Sequence, residues 1–302
     1  MKNLNDLTVV IVTFRTPEKI IFECLKSIDP IVKVLIIENS NNFVHHKKIL
    51  SNFPNVKIIC TGDNLGYGNG NNFGLKLVNT KNALILNPDV ICDKDFFKNI
   101  EEVLNEVKDF TIIGCQYLND KVYMPAGFFD KNKNTKFKKD FQNNMTGLLS
   151  KVEWVTGCSM LINLKKFINK EIFDKNFFLY FEEIDLCKSI IKKGENIFTS
   201  KKLKIHHVGF KSSMDDNSRN QINLNKIREW HWMWSSFYFY KKNYSYFYAL
   251  YQMSGKLIKS SLRIFFYFIT FQNNKKEKYL YRFLGIFNAL IGRSSYFRDT
   301  NK

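Results

Sequence analysis

Leu7-Thr8-Val9-Val10-Ile11-Val12, followed at once by Thr13-Phe14-Arg15, is the stretch that decides how the rest of the chain is read. Mostly β-branched side chains without polar alternation predict a strand covered on both faces, as in parallel sheets. Pro17 then opens a helix that carries Ile20, Ile21, Cys24, Leu25 and Ile28 at helical spacing. The unit recurs. Val34-Leu35-Ile36-Ile37 ends at Glu38-Asn39-Ser40, and Val56-Lys57-Ile58-Ile59 leads to Asp63-Asn64-Leu65-Gly66. Asn82-Ala83-Leu84-Ile85-Leu86 ends at Asn87-Pro88-Asp89. Strands alternating with helices imply an α/β fold, a mostly parallel sheet flanked by helices. Ligands of such sheets bind beyond the carboxyl ends of the strands. The four polar clusters at those ends therefore predict one nucleotide-binding edge.

Further along, residues 116–150 are Lys/Asn-rich and weakly periodic, and read as a variable excursion or mobile loop over the site. Strand character resumes at 152–157 and 160–162. Leu186 to Lys193 reads as a helix stopped by Gly194. From about Ile222 the chain reads as helical and aromatic to its end, with Lys256, Lys259 and Arg263 facing one way. This predicts a domain over 1–221, with a nucleotide-binding half (1–115) and an acceptor and catalytic half (116–221). A helical region over 222–302 follows it.

Composition narrows the classes. The 302 residues are 45% hydrophobic and 16% aromatic, ample for a core and unlike a disordered chain. Net charge is +18, and the region from Arg228 to Lys302 holds 13 Lys/Arg against 3 Asp/Glu. A basic, aromatic-rich end suits anionic lipid, nucleic acid or an anionic substrate. No nucleic-acid motif accompanies the charge, so nucleic acid is not an expected partner. The six cysteines lack CxxC spacing and several sit in apolar runs, which fits buried thiols in a reducing compartment. No segment reaches the roughly 18 apolar residues of a membrane-spanning helix, and residues 1–7 lack a secretory leader's apolar run. The expected location is cytoplasmic, resting on the inner face of the cytoplasmic membrane.

Three patterns carry chemistry. Phe177-Phe178-Leu179-Tyr180-Phe181-Glu182-Glu183-Ile184-Asp185-Leu186-Cys187 sets three carboxylates beside a wall of aromatics. Desolvation and mutual repulsion raise carboxyl pKa values, which suits a general base near neutral pH. Glu182 and Asp185 are i, i+3 neighbours while Glu183 diverges by about 100° per residue; an acidic first turn of a helix is the simpler use of such a cluster. Asp89 lies just past a buried strand, and His207 lies far downstream; both residue types suit a divalent cation bridging to phosphate. The Gly/Asn-rich stretch from Asn64 to Gly74 reads as a loop ahead of an apolar helix. It matches neither the dinucleotide fingerprint nor a P-loop.

In order and spacing these segments resemble the family 2 glycosyltransferases, most of all the bacterial rhamnosyltransferase-like branch. The resemblance rests on Val9 to Phe14, Ile36 to Ser40, Asn64 to Gly68, Leu84 to Asp89 and Phe178 to Cys187. Trp154 to Ile162, His207 to Ser212, Arg228 to Tyr240 and Gly292 to Arg298 extend it. It implies a GT-A fold, a nucleotide-diphosphate sugar donor, a divalent metal (Mg²⁺ or Mn²⁺) and inversion at the anomeric carbon. Carried over by position, Asn87-Pro88-Asp89 replaces the family's DxD, making Asp89 and His207 the implied metal contacts, with His206 the other register. Glu183 stands at the catalytic base, with Glu182 and Asp185 positioning acceptor or base. Thr13, Phe14, Glu38 and Asn64 would hold nucleobase and ribose, and Arg15, Gly66, Asn71, Asn87, Trp154 and Gly157 complete the implied substrate contacts. Glu38 and Glu183 stand where Asp is common, and Asn87 removes the first DxD acid. The implied reaction is transfer of rhamnose or a similar sugar to a glycan acceptor linked to a polyprenyl-diphosphate lipid, in surface polysaccharide, O-antigen or capsule synthesis. A UDP-hexose is the alternative donor, and a non-catalytic glycan- or nucleotide-binding relative the other class.

Overall fold

The computed structural model describes residues 4–118, 125–143, 148–207 and 218–298. The chain forms two compact units, one of residues 1–65, 69–173 and 186–214, the other of 66–68, 174–185 and 215–302.

The first unit is built on a nine-stranded sheet among the described residues. Strands β1 (Leu7–Thr13), β2 (Lys33–Glu38), β3 (Val56–Cys60) and β4 (Asn82–Leu86) pair in parallel in the order β3-β2-β1-β4. Helices α1 (Glu18–Lys26), α2 (His46–Asn52) and α3 (Gly66–Leu77) connect them in sequence. Beyond β4 the pattern changes. After β5 (Val90–Cys92) and α4 (Phe96–Glu106) come β6 (Ile112–Tyr117), the short β7 (Ala126–Gly127), α5 (Lys131–Asn143), β8 (Leu149–Val152), β9 (Trp154–Val155) and β10 (Ser159–Asn163). Strand β10 inserts antiparallel between β4 and β6, and the long β11 (Ile197–His207) runs parallel to β6 and antiparallel to β5 and β8.

Both faces of β1 are covered, which is why its sequence lacks alternation. Leu7, Val9 and Ile11 join a buried cluster with Ile21, Cys24 and Leu25 of α1, Ile49 of α2, and Phe96, Ile100 and Val103 of α4. The opposite face meets α3. The expected glycine-rich loop over 64–74 is mostly helix, because Gly70 and Gly74 let α3 lie close on the sheet. A Cβ at these positions would come 2.8 Å from Val12 Cγ1 and 2.7 Å from Val10 Cγ1.

A second correction concerns the excursion over 116–150. Residues 119–124 and 144–147 lie outside the described residues, but Lys131–Asn143 forms helix α5. Its mostly exposed, Lys/Asn-rich sequence offers periodicity little apolar signal beyond Phe137, whose ring packs on Phe128 at 5.5 Å. The strand expected at 152–157 is divided between β8 and β9, and α6 (Glu182–Lys192) begins four residues earlier than expected. All six cysteines are thiols, five of them buried.

The second unit contains α7 (Ser218–Asn243), α8 (Tyr246–Ile269) and α9 (Asn273–Leu290), as the sequence predicts in outline. Trp230, Met233, Trp234 and Phe237 of α7 pack with Ala249 and Met253 of α8 and Ile286 and Ala289 of α9. Gly285 of α9 admits this packing, since a Cβ there would lie 2.3 Å from the Trp230 carbonyl oxygen. His231 is fully buried with Nε2 2.7 Å from the Phe297 carbonyl oxygen. Burial pushes its pKa down to about 3, so it is a neutral core residue.

Candidate active site

In the first unit the parallel register sets Thr13 of β1 beside Glu38 of β2. Glu38 is fully buried, and its carboxylate accepts from Thr13 Oγ1 at 2.5 Å, Ser40 Oγ at 2.7 Å and the Arg15 backbone N–H at 3.3 Å. These donors hold the turn after β1, where Arg15 adopts φ 52° and its guanidinium lies 5.1 Å from the Phe14 ring centre. Phe14 is half-buried and Arg15 exposed, so this turn offers an aromatic face and a cation at the carboxyl edge. Asn64 and Asn87 are also half-buried. Asn71 is fully buried within α3, and Gly157 is buried. Trp154 is half-buried and donates from its indole N–H to the Phe128 carbonyl at 3.2 Å.

Sheet register also assembles the expected metal pair. Strand β11 pairs with β5 so that His207 faces Val90, the residue after Asp89. His207 Nε2 thereby lies 3.4 Å from Asp89 Oδ1, and the Asp89 side chain is almost wholly buried. The Tyr117 ring flanks His207 at 5.7 Å between centres. His206 is exposed, which favours His207 as the implied register. A carboxylate oxygen and an imidazole nitrogen converging at this distance fit adjacent positions on a small divalent ion. Among the described residues no group of three or more His, Cys, Asp or Glu side chains is placed to hold a metal. Two protein donors fit an ion that takes its remaining ligands from diphosphate and water. Residues 208–212, which extend the resemblance beyond His207, lie outside the described residues.

The acidic turn belongs to the second unit. Tyr180 and Phe181, immediately ahead of α6, have φ values of 69° and 70°. Consecutive left-handed conformations at two bulky residues cost of order 1–3 kcal/mol each and persist only where packing dictates them. Here the rings of Tyr180 and Phe181 lie 5.1 and 5.5 Å from the Trp232 ring, and Phe181 also meets Phe239 at 5.5 Å. The Leu179 carbonyl accepts from Ser235 Oγ at 2.8 Å. Gly66 closes against the same segment: its φ is 81°, and a Cβ would come 2.2 Å from the Phe178 carbonyl oxygen. That carbonyl accepts the Tyr67 backbone N–H at 3.0 Å.

The three acids emerge from this turn in different surroundings. Glu182 is buried and its Oε2 has no hydrogen-bond partner among the described residues. Burial, and then the neighbouring Glu183 charge, hold its pKa well above the usual carboxylate range. Glu183 is half-buried, and burial raises its pKa while backbone N–H groups at the helix start oppose the rise. Asp185 is buried but engaged: Lys242 Nζ lies 2.6 Å from Oδ2, and Asn243 Nδ2 donates to Oδ1 at 2.8 Å. Lys242 also pairs with Asp174 at 2.7 Å. Sequence inspection missed Lys242, Asn243 and Trp232, because no local pattern ties the end of α7 to an acid 57 residues earlier. Of the three acids, Asp185 is the one held by a cation and an amide, whereas Glu182 and Glu183 are raised in pKa by burial.

This α/β architecture is that of the GT-A glycosyltransferases. The mannosyltransferase PcManGT from Pyrobaculum calidifontis, solved with GDP-Man and Mn²⁺, superposes with a TM-score of 0.53 at 11% identity, covering 94% of this chain and 87% of that one. The family described as Glycosyl transferase family 2 matches residues 8–177, more than half of the chain, and the protein belongs to that family. It is similar to the low-salt glycan biosynthesis hexosyltransferase Agl10 of Haloferax volcanii, 24% identical over 64% of each chain. It is also similar to the rhamnosyltransferase WbbL of Escherichia coli K12, 24% identical over 70% of this chain and 84% of that one. The chain thus spans just under two thirds of Agl10.

Proposed function

We propose that the protein is an inverting glycosyltransferase that moves rhamnose or a related hexose from a nucleotide-diphosphate donor to a glycan acceptor. The observation that carries this reading is Glu183, a half-buried carboxylate whose pKa is raised by burial, in the first turn of α6 within the family's acidic motif. Glu183 takes the proton of an acceptor hydroxyl as that oxygen attacks the anomeric carbon. The carbon–oxygen bond to the diphosphate breaks on the opposite side, and its electron pair leaves with the nucleoside diphosphate. Asp89 and His207 would hold a divalent ion, which when bound supplies charge neutralisation for the leaving diphosphate. Thr13, Phe14, Glu38 and Asn64 hold nucleobase and ribose, with Phe14 offering a ring face and Arg15 a cation. Asp185, held by Lys242 and Asn243, and Glu182 position the base.

Of the two relatives, one is named for rhamnose and the other only for a hexose; a UDP-hexose donor stays the second reading. The basic, aromatic helical region supports a lipid-linked acceptor at the cytoplasmic membrane face, in surface-glycan or O-antigen synthesis. The test is a panel of nucleotide sugars with Mn²⁺, offered to the wild-type protein and to Glu183→Gln. One donor that stabilises both proteins thermally and is turned over only by wild type supports the reading. Equal turnover by Glu183→Gln removes Glu183 as base, and failure of every donor to bind removes the transferase reading.

A further inference from the structure

Helix α8 presents two opposite faces. Ala249, Met253, Ser260 and Tyr267 are buried. At about 100° per residue, Phe247, Tyr251, Ile258, Leu262, Phe265 and Ile269 fall within about 60° of arc on the other side. All six are exposed, from 56% at Ile269 to 79% at Phe247. At 1.5 Å per residue the stripe runs about 33 Å along the helix. Phe268 near the end of α8 and Phe271 in the α8–α9 turn add apolar surface, exposed by 65% and 88%. Scattered exposed hydrophobics need no explanation, but a continuous stripe of this length marks a contact surface.

Charge selects its occupant. Residues 246–298 carry nine Lys/Arg against Glu277 as the one acid, and Glu277 pairs with Lys226. Lys259 is exposed about 90° round the helix from the centre of the stripe, and Lys275, Lys276 and Lys278 open α9 just past Phe271. A twofold contact between copies of this face would bring like charges together with few acids to offset them. An anionic bilayer complements the cations and accepts the aromatic rings at its headgroup level. No helix of the described residues is long and apolar enough to cross a membrane, so α8 suits lying along the surface.

We infer that the outer face of α8, through Phe247, Tyr251, Ile258, Leu262, Phe265 and Ile269, is the surface by which this protein seats itself on anionic lipid. The inference rests on the membrane-face reading above and specifies which residues enter the interface.

Co-sedimentation of the full chain with vesicles tests it, using equimolar phosphatidylcholine and phosphatidylglycerol beside phosphatidylcholine alone. Wild type is expected to partition onto the mixed vesicles and far less onto the neutral ones. The variant Leu262→Ser/Phe265→Ser/Ile269→Ser should lose at least about tenfold in partitioning, as expected for an interfacial helix stripped of apolar area. Its circular dichroism and donor turnover in solution should match wild type, showing that the fold and the transferase chemistry are intact. Lys259→Glu/Lys275→Glu should lose binding to the mixed vesicles alone. Wild-type binding that the triple variant retains would overturn the assignment to α8 while sparing the membrane reading. Wild type that binds neither vesicle would overturn both. A dimer in sedimentation velocity that the triple variant dissolves would make a second copy the occupant and overturn the proposal.

Discussion

The sheet unit and the helical unit use apolar surface in opposite ways. In the first, both faces of β1 are packed, and the polar groups concentrate at the carboxyl ends of the strands. In the second, α7, α8 and α9 bury their inward faces yet leave the α8 stripe exposed. Their acids differ too. Glu38 is satisfied by three neighbouring donors and Asp89 meets His207, whereas Glu182 and Glu183 are raised in pKa by burial. A carboxylate held by donors, like Glu38, or set beside an imidazole, like Asp89, suits binding; carboxylates kept from their preferred charge state suit proton transfer. The sheet unit is therefore expected to govern donor affinity and the acidic turn to govern turnover.

The largest effect should fall on turnover. Glu183→Gln is expected to lower kcat by about 10³-fold, the scale of a lost general base, with donor affinity by calorimetry unchanged. Weaker donor binding in this variant would break the division. His207→Ala should do the converse. Its loss is expected to weaken Mn²⁺-dependent donor binding about 10- to 100-fold, while binding of the nucleoside alone, which does not need the diphosphate contact, changes little. Calorimetry with and without Mn²⁺ reads both.

Legibility in the sequence followed the same divide. The strands from Leu7 to Leu86 were readable because burial on both faces leaves a run of apolar residues that no exposed segment shows. Asp89 and His207 were readable as candidates, but their pairing depends on β11 lying antiparallel to β5, a register that no local spacing encodes. Helix α5 is hard to read because Lys and Asn dominate it and Phe137 and Phe141 are its only large apolar residues, and the first turns of α3 read as loop because their glycines serve close packing on the sheet. Around the acids, the motif was plain, but the device that shapes it was not. The φ values of Tyr180 and Phe181 and the grip of Lys242 on Asp185 are set by α7, remote in sequence.

That grip gives a smaller, structural prediction. Asp185 is buried, while the Lys242 side chain is 37% exposed, so solvent screens much of the pair's attraction. Lys242→Met is expected to cost about 1–2 kcal/mol of stability, read as denaturant midpoint, rather than the larger loss of a fully buried pair. A double-mutant cycle with Asp185→Asn should recover most of that as coupling. If the two changes add independently, Asp185 is not held by Lys242, and the acidic turn has another anchor.

The smallest expected effect separates stability from catalysis at Glu182. Its folded-state pKa is raised, first by burial and then by Glu183, so the folded protein holds its proton more tightly than the unfolded chain does. Such a group contributes its full stability below the ordinary glutamate range and loses that contribution as pH rises through the raised value. Glu182→Gln removes the charge that develops there. It should raise the thermal midpoint at neutral or higher pH, by about 0.5 kcal/mol of stability, and leave it unchanged at a pH below the ordinary glutamate range. Turnover should fall in the same variant if Glu182 helps to set the charge state of Glu183. A midpoint that moves equally at both pH values would mean that packing, not the suppressed charge, sets the effect. The raised pKa would then have no part in poising the base.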